Sequence, residues 1–305
     1  MSDKPLLIIL GATASGKTKL AVQVADALNA EIISADSRQV FRKMDIGTGK
    51  DLAEYNINGK TIPHHLINIL EPGERYHVDA FKNDFYNAYQ SITDKDKFSI
   101  LCGGTGMYIH SLLQNQRYTA VPVHSGLRTA LDSLTKEELI NRLKDYPEEL
   151  SRHVDFNAKK RLIRAIEIAE YLSCNELADV DRPKINSLVF GLKNKVEQTR
   201  YNILSRLEYR LGDGMIEEVE DLLNKGVSKE ILTFYGLEYK FIVAYLSGDL
   251  NYDELKLKLG IAICQYAKRQ NTFFRKMEKD GVIINWLDAS EPLDSLKQQI
   301  LEKVF

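Results

Sequence analysis

The sequence predicts an α/β fold, in which a parallel sheet core flanked by helices is interrupted by a small all-helical insertion. Three observations carry that prediction. A compact apolar run at residues 6–10 stops at Gly11 and leads through a glycine-bearing loop into a helical stripe. Further short apolar runs recur at 31–35 and 98–102, separated by helical and polar segments. From 126 to about 172 the pattern is helical throughout.

Each element follows in chain order. Residues 6–10 (LLIIL) lack the alternation of a half-exposed strand and read as a strand buried on both faces. Residues 17–28 set Leu20, Val22, Val24, Ala25 and Leu28 along one helical stripe. EIISA at 31–35 is a second strand, and FSILC at 98–102 a third, stopped by Gly103 and Gly104. Strand, helix and strand joined by polar crossovers make parallel neighbours. Between the last two strands lie a loop around Pro63, His64 and His65 and a helix from about 78 to 92. Without a third ligand, the two histidines read as a hydrogen-bonding pair in a loop, not a metal site.

Residues 118–125, with Pro122, hold no helical period and read as a linker. KEELINRLKDY and AKKRLIRAIEIAEYL then supply short charged helices. Arg182-Pro183 punctuates, and NSLVFGL at 186–192 reads as a strand returning to the sheet. From Glu197 the chain is helical until a last strand at 282–287. The expected core is therefore 1–120 with 184–305, and the insertion is 121–183.

At 305 residues the chain is long enough for two domains or for one with an insertion. Hydrophobic residues at 44% and charged residues at 28% describe an ordinary globular protein and exclude global disorder. A net charge of −2 excludes nucleic-acid binding by bulk charge and leaves room for a local basic face. Cys102, Cys174 and Cys264 fit no zinc or redox spacing, so reduced thiols and a cytoplasmic location are expected. The segment MSDKPLLIIL is too short for a signal sequence, and no stretch approaches the ~18 apolar residues of a membrane span. A monomer is expected.

The chemistry starts at Gly11-Ala12-Thr13-Ala14-Ser15-Gly16-Lys17-Thr18, set between a strand and a helix. Glycines let backbone N–H groups wrap toward phosphate oxygens, and the helix N-terminus adds partial positive charge. Lys17 can bridge phosphate oxygens, and the Thr18 hydroxyl can ligate Mg²⁺. A chance glycine turn is the plain alternative, but the flanking elements suit a pyrophosphate-bearing substrate.

Asp36 follows the second strand directly, at the edge where α/β ligands bind. A carboxylate there can be a general base or metal ligand, or merely a turn aspartate. Ser37, Arg38, Gln39, Arg42 and Asp45 crowd the following loop with polar groups, which suits a nucleoside. Gly103-Gly104-Thr105-Gly106 reads as a second anion-binding turn, or as a turn that only packs helix on sheet. A kinase or ATPase would typically end that strand in Asp, and this one does not.

Two segments are basic. Lys159, Lys160, Arg161 and Arg164 lie in the insertion. QYAKRQNTFFRKM interleaves Lys268, Arg269, Arg275 and Lys276 with Tyr266, Phe273 and Phe274, which suits RNA, although a solvated helix face has the same look. Arg206 and Arg210, four apart, share a helix face and can reach back toward a diphosphate.

Together, GATASGKT, ISADSRQVFRKMDIGTGK, PHHLINIL, GGTGMYI, RLIRAIEI and YAKRQNTFFR resemble the tRNA dimethylallyltransferase (isopentenyltransferase) family, in family order from 11 to 275. The resemblance implies a P-loop NTPase-like sheet and transfer of a dimethylallyl group from dimethylallyl diphosphate to N6 of adenosine 37, beside the anticodon. Gly11 to Thr18 would hold the diphosphate without hydrolysing a nucleotide, with Mg²⁺ as cofactor and Asp36 as the base. Asp36, Ser37, Arg38, Gln39, Thr105, Arg128, Lys160, Arg161, Leu162, Ile163, Arg164, Lys268, Arg269, Gln270 and Arg275 would contact the tRNA anticodon stem-loop. The insertion would close over that stem.

The chain departs from the family pattern at Ala12 (usually Pro), Phe41 (often Tyr) and Gly49 (usually Ala), and is about one turn shorter between Arg210 and Gly214. Counting from Arg200 makes Arg210 the leaving-group arginine, the residue taken here; counting back from GMIEEV makes it Arg206. Competing readings are an adenylate isopentenyltransferase, disfavoured by the insertion and the basic arm, a small-molecule P-loop kinase, and a binding module, in which Asp36 would have no role.

Overall fold

Burial on both sides explains the unbroken apolar run at the start of the chain. The structure, a computed structural model, describes residues 4–114, 116–151, 154, 156–177 and 182–305. The sequence readings at 1–3, 152, 153, 155 and 178–181 lie outside the described residues. Strand β1 (Leu6–Gly11) leads into α1 (Lys17–Leu28) and β2 (Glu31–Ser34). A short hairpin, β3 (Asn56–Ile57) with β4 (Lys60–Thr61), precedes β5 (His64–His65), α2 (Val78–Thr93), β6 (Ser99–Gly103) and α3 (Gly106–Leu113).

Next come α4 (Ser125–Asp132), α5 (Lys136–Leu143), α6 (Glu148–Ser151) and α7 (Lys159–Cys174). The chain returns through β7 (Ser187–Lys193) and helices α8 (Val196–Gly212), α9 (Met215–Asn224), α10 (Lys229–Tyr235), α11 (Leu237–Leu246) and α12 (Tyr252–Lys279). It finishes with β8 (Ile284–Asp288) and α13 (Leu293–Val304), a helix to which the sequence reading assigned nothing.

Six strands form one parallel sheet in the order β5-β2-β6-β1-β7-β8. Because side chains alternate along a strand, β1 feeds two cores. Leu6, Ile8 and Leu10 pack with Phe81, Phe85 and Phe274, while Leu7 and Ile9 pack with Leu20, Val24 and Ile300. Each such fully buried side chain contributes about 1.5–3 kcal/mol. A third core joins α8 to α12 through Leu207, Met215, Tyr239 and Leu259. His64 and His65 lie in an edge strand instead of a loop, paired with Ile32 and Ile33. Two residues carry no periodicity, so only the backbone pairing reveals them.

Two compact units result, Met1–Leu113 with Lys184–Phe305, and Gln114–Pro183. The second begins earlier than the expected 121. The reason is Arg164, whose guanidinium donates to the carbonyls of Tyr118 (3.2 Å) and Val121 (2.7 Å) and so ties that stretch to α7. Its own core contains Leu131, Leu139, Leu143, Leu162, Ile163 and Ile166. Among the described residues, no helix is long and apolar enough to cross a membrane, and Cys102, Cys174 and Cys264 are free thiols.

Candidate active site

The glycine-bearing loop sits between β1 and α1, at the carboxyl edge of the sheet. Gly16 adopts φ 85° as the N-cap of α1, a left-handed conformation that favours glycine. No side chain caps that helix, so its first N–H groups and partial positive charge face the cleft. Ser15 Oγ is buried without a hydrogen-bond partner among the described residues. An uncapped helix start and an orphan hydroxyl suit an anion.

Helix α8 clamps the loop from the other side. Arg206 donates to Thr13 Oγ1 at 2.5 Å, and Asn202 to the Ala14 carbonyl at 3.3 Å. Burial, then repulsion from Arg210, pulls Arg206 down to about 10, so it stays charged at neutral pH. Burial likewise lowers Lys17, against the attraction of Cys102 and Asp36 and together with repulsion from Arg206. Among the described residues Arg206 has no ion pair, whereas Arg210, 6% exposed, donates to both Asp51 carboxylate oxygens at 2.9 and 3.0 Å. Gly49 adopts φ 65°, a left-handed conformation that favours glycine, and a Cβ there would meet the Arg210 guanidinium.

Opposite the loop, Asp36 leaves β2 half-buried, with Oδ1 accepting from Arg38 N at 2.8 Å. Thr105 Oγ1 accepts from Ser37 N at 3.2 Å, and Thr105 N donates to the Ala35 carbonyl. The ends of β2 and β6 are thereby stitched together, which fixes the Asp36 carboxylate. The glycines of the 103–106 turn pack against protein. A Cβ on Gly103 would strike Ala35, on Gly104 Gln270, and on Gly106 Phe273. That turn packs helix on sheet, and its Thr105 and Gly106 N–H groups are already spent on the Ala35 and Gly104 carbonyls.

Loop geometry consumes many of the polar groups after Asp36. Gln39 accepts from Ser34 Oγ and donates to the Gly49 carbonyl, each at 3.0 Å. Arg42 pairs with Glu71 at 2.7 Å, and the buried Lys50 with Asp45 at 2.5 Å. Glu218 accepts from the N–H groups of Asp45, Ile46 and Gly47. Of the loop residues singled out from sequence, Asp36 to Gln39 line the cleft.

That cleft has a volume of ≈ 1220 Å³ and also receives Lys17, Thr18, Arg206, Arg210, Tyr266, Arg269 and Gln270. It exceeds the roughly 300–1,000 Å³ of an ordinary small-molecule pocket, so it has room for a diphosphate and a nucleotide together. Gln270, expected to contact RNA, is buried and braces the loop: its Oε1 accepts from Thr13 N and its Nε2 donates to the Gly104 carbonyl, both at 2.9 Å. Lys268, Arg269 and Arg275 are exposed along α12, and Arg269 lies 5.9 Å from the Tyr266 ring centroid. Sequence reasoning missed Asp51, Asn202 and Glu238 in the cleft lining. Asn202 had a signal, since it lies four residues before Arg206 on the same helix face. Burial raises the Glu238 carboxyl, with Arg210 and Arg206 opposing.

In the second unit, Leu162 and Ile163 are buried and serve packing, contrary to the expectation of an RNA contact. Arg128 and Arg164 both bind Glu167, whose carboxylate also accepts from His124 N at 2.6 Å. Burial would raise Glu167, but these partners hold it below the usual carboxylate range. Lys160 and Arg161 are exposed at the start of α7.

A strand–glycine loop–helix anion seat facing a fixed carboxylate across one cleft defines a group-transfer enzyme of the P-loop fold. The chain belongs to the IPP transferase family, whose model matches residues 39–277; that of isopentenyl transferase matches 4–62. It is 46% identical to tRNA dimethylallyltransferase 2 of Bacteroides fragilis, over 99% of this chain and 100% of the relative. It is 47% identical to the like-named protein of Phocaeicola vulgatus, over 99% and 98%. Among solved structures it resembles the tRNA isopentenylpyrophosphate transferase of Bacillus halodurans, with TM-score 0.71, 28% identity and coverage of 99% and 97%. The Staphylococcus epidermidis tRNA isopentenylpyrophosphate transferase gives 0.69 at 31% identity, covering 99% of both chains. A eukaryotic dimethylallyltransferase acting on tRNA shares the fold, with TM-score 0.76 at 22% identity, covering 99% of this chain and 77% of the other.

Proposed function

We propose that the chain transfers a dimethylallyl group from dimethylallyl diphosphate to the N6 amine of the adenosine beside the anticodon of tRNA, at position 37. One observation carries this reading: Lys17, Thr18 and Arg206, which has no ion pair among the described residues, face the same cleft as the fixed Asp36 carboxylate. An exocyclic amine is a weak nucleophile because its lone pair is delocalised into the ring, so its partner must ionise readily. The allylic C1–O bond breaks with its electron pair leaving on diphosphate, the N6–C1 bond forms, and the N6 proton passes to Asp36. The N–H groups at the start of α1, Lys17 and Arg206 take up the leaving-group charge. Arg206 is the better candidate for this than Arg210, whose charge is spent on Asp51.

Prenyl transfer from a diphosphate generally draws on a divalent cation, here Mg²⁺. No group of three His, Cys, Asp or Glu among the described residues could hold a metal alone. Thr18 would hold the ion instead, through its hydroxyl as a hard oxygen ligand. When bound, Mg²⁺ neutralises charge on the leaving group. The exposed Lys160, Arg161, Lys268, Arg269 and Arg275 are proposed RNA contacts, and the setting is cytoplasmic. A single-turnover assay with labelled dimethylallyl diphosphate and unmodified tRNA tests the reading; label in the tRNA is expected. Absence of label, with phosphoryl transfer from ATP to a small acceptor instead, would make the chain a kinase.

A further inference from the structure

Phe234 is 59% exposed at the end of α10, on the lining of the cleft, and two guanidiniums lie against its ring. Arg38 is 5.4 Å from the ring centroid and Arg75 is 5.9 Å. Among the described residues neither guanidinium makes a hydrogen bond or an ion pair. The arrangement is built from below by the buried Tyr235. Its hydroxyl accepts from Gly73 N at 2.6 Å and donates to the Glu74 carbonyl at 2.7 Å, pinning the loop that carries Arg75 beside α10. Arg38 is held from the other side, because its own N–H binds Asp36 Oδ1.

An aromatic face holds a guanidinium while leaving its in-plane N–H fork unspent. Such forks match phosphate oxygens bidentately. We propose that Arg38 and Arg75, held on Phe234, form a two-cation clamp that grips the RNA backbone beside the target nucleotide. This rests on the RNA-modifying reading and extends it to Arg75 and Phe234. The prenyl diphosphate is not the expected occupant, since its seat is built by other elements, β1–α1 and α8. The clamp's position two residues from Asp36 would fix the strand where the amine must meet the base. Phosphate contacts of this kind set register without reading sequence.

The test measures binding of an anticodon stem-loop RNA to the full chain as salt is varied, beside calorimetric binding of dimethylallyl diphosphate. One lost phosphate contact lowers the salt slope by about 0.7–0.9 and makes affinity roughly 3-fold less sensitive between 50 and 200 mM salt. Arg75→Gln is expected to show that change with weaker RNA binding. Phe234→Leu, which removes no charge, is expected to weaken RNA binding by loosening both guanidiniums, with diphosphate affinity unaltered in each variant. Wild-type RNA affinity and slope in both variants would overturn the clamp, as would a loss confined to diphosphate affinity. A wild-type chain that binds no stem-loop would overturn the RNA reading itself, and the clamp with it.

Discussion

Replacing Arg206 by Ala removes a guanidinium that is desolvated, charged and without a carboxylate partner among the described residues, 2.5 Å from a hydroxyl of the phosphate loop. Its pKa of about 10 reflects burial and the neighbouring Arg210. An incoming diphosphate relieves both. A charge-assisted hydrogen bond contributes about 1.5–3 kcal/mol, so substrate affinity should fall by roughly 10- to 150-fold. Charge on the leaving oxygen grows in the transition state, and losing one preorganised donor there costs about 10²–10³ in rate. Arg206→Lys keeps the charge but loses the planar fork, and an intermediate rate is expected. Arg210→Ala should behave differently, because it breaks a pair with Asp51 and leaves the loop-facing cation in place. Its rate should fall less than about 10-fold, with most of its effect on stability. Rapid-quench single turnover with enzyme in excess separates these outcomes. A rate within about 3-fold of wild type for Arg206→Ala, with collapse in Arg210→Ala, would reverse the assignment.

Further perturbations have equally definite outcomes. Asp36→Asn should keep diphosphate binding and slow the chemical step by roughly 10² or more; an unchanged single-turnover rate removes Asp36 from the mechanism. Burial alone would raise Glu31, but Lys97 (2.9 Å), His65 (2.8 Å) and Lys95 (3.3 Å) hold its carboxyl at about 2. Because the folded value is depressed from 4.5, the resulting stability of about 3 kcal/mol is present above pH 4.5 and fades as pH falls toward 2. Denaturant midpoints of Glu31→Gln should therefore flatten across that window relative to wild type, and parallel curves would refute the linkage. Glu167→Gln should destabilise the second unit by about 3–5 kcal/mol, since its carboxylate is 1% exposed and binds two arginines. Hydrogen exchange in α7 reads that loss. Arg164→Ala should lower the same protection without lowering the salt slope for RNA, and the opposite pattern would make Arg164 a phosphate contact.

Signals confined to one short stretch were legible. The run LLIIL, the glycines at 11 and 16, and Lys17-Thr18 specify a strand, a loop and a helix start through local propensity and hydrophobicity, so the strand–loop–helix framework of the candidate site was readable without tertiary contacts. Asp36 was readable because it follows a strand directly. The helical texture of 126–172 marked a separate unit because its apolar period differs from that of the strands. The two-residue strand at His64–His65 was not legible, since it is an edge held by backbone pairing.

By itself, then, the sequence determined the strand–loop–helix seat, the carboxylate beyond the second strand and the presence of a helical insertion. Tertiary structure alone decided which of the two arginines lacks a carboxylate partner among the described residues. Arg210 is neutralised by Asp51, 159 residues away, and Arg206 meets Thr13, 193 residues away. It also turned Gln270 into a brace, Arg164 into a tether, the 103–106 glycines into a packing turn, and Arg38, Arg75 and Phe234 into one cluster. The physical reason is common to all of these. A charge or donor acts according to the partner it meets, and partners that lie far apart in the chain are chosen by the packing of the sheet and its helices, which no local period encodes.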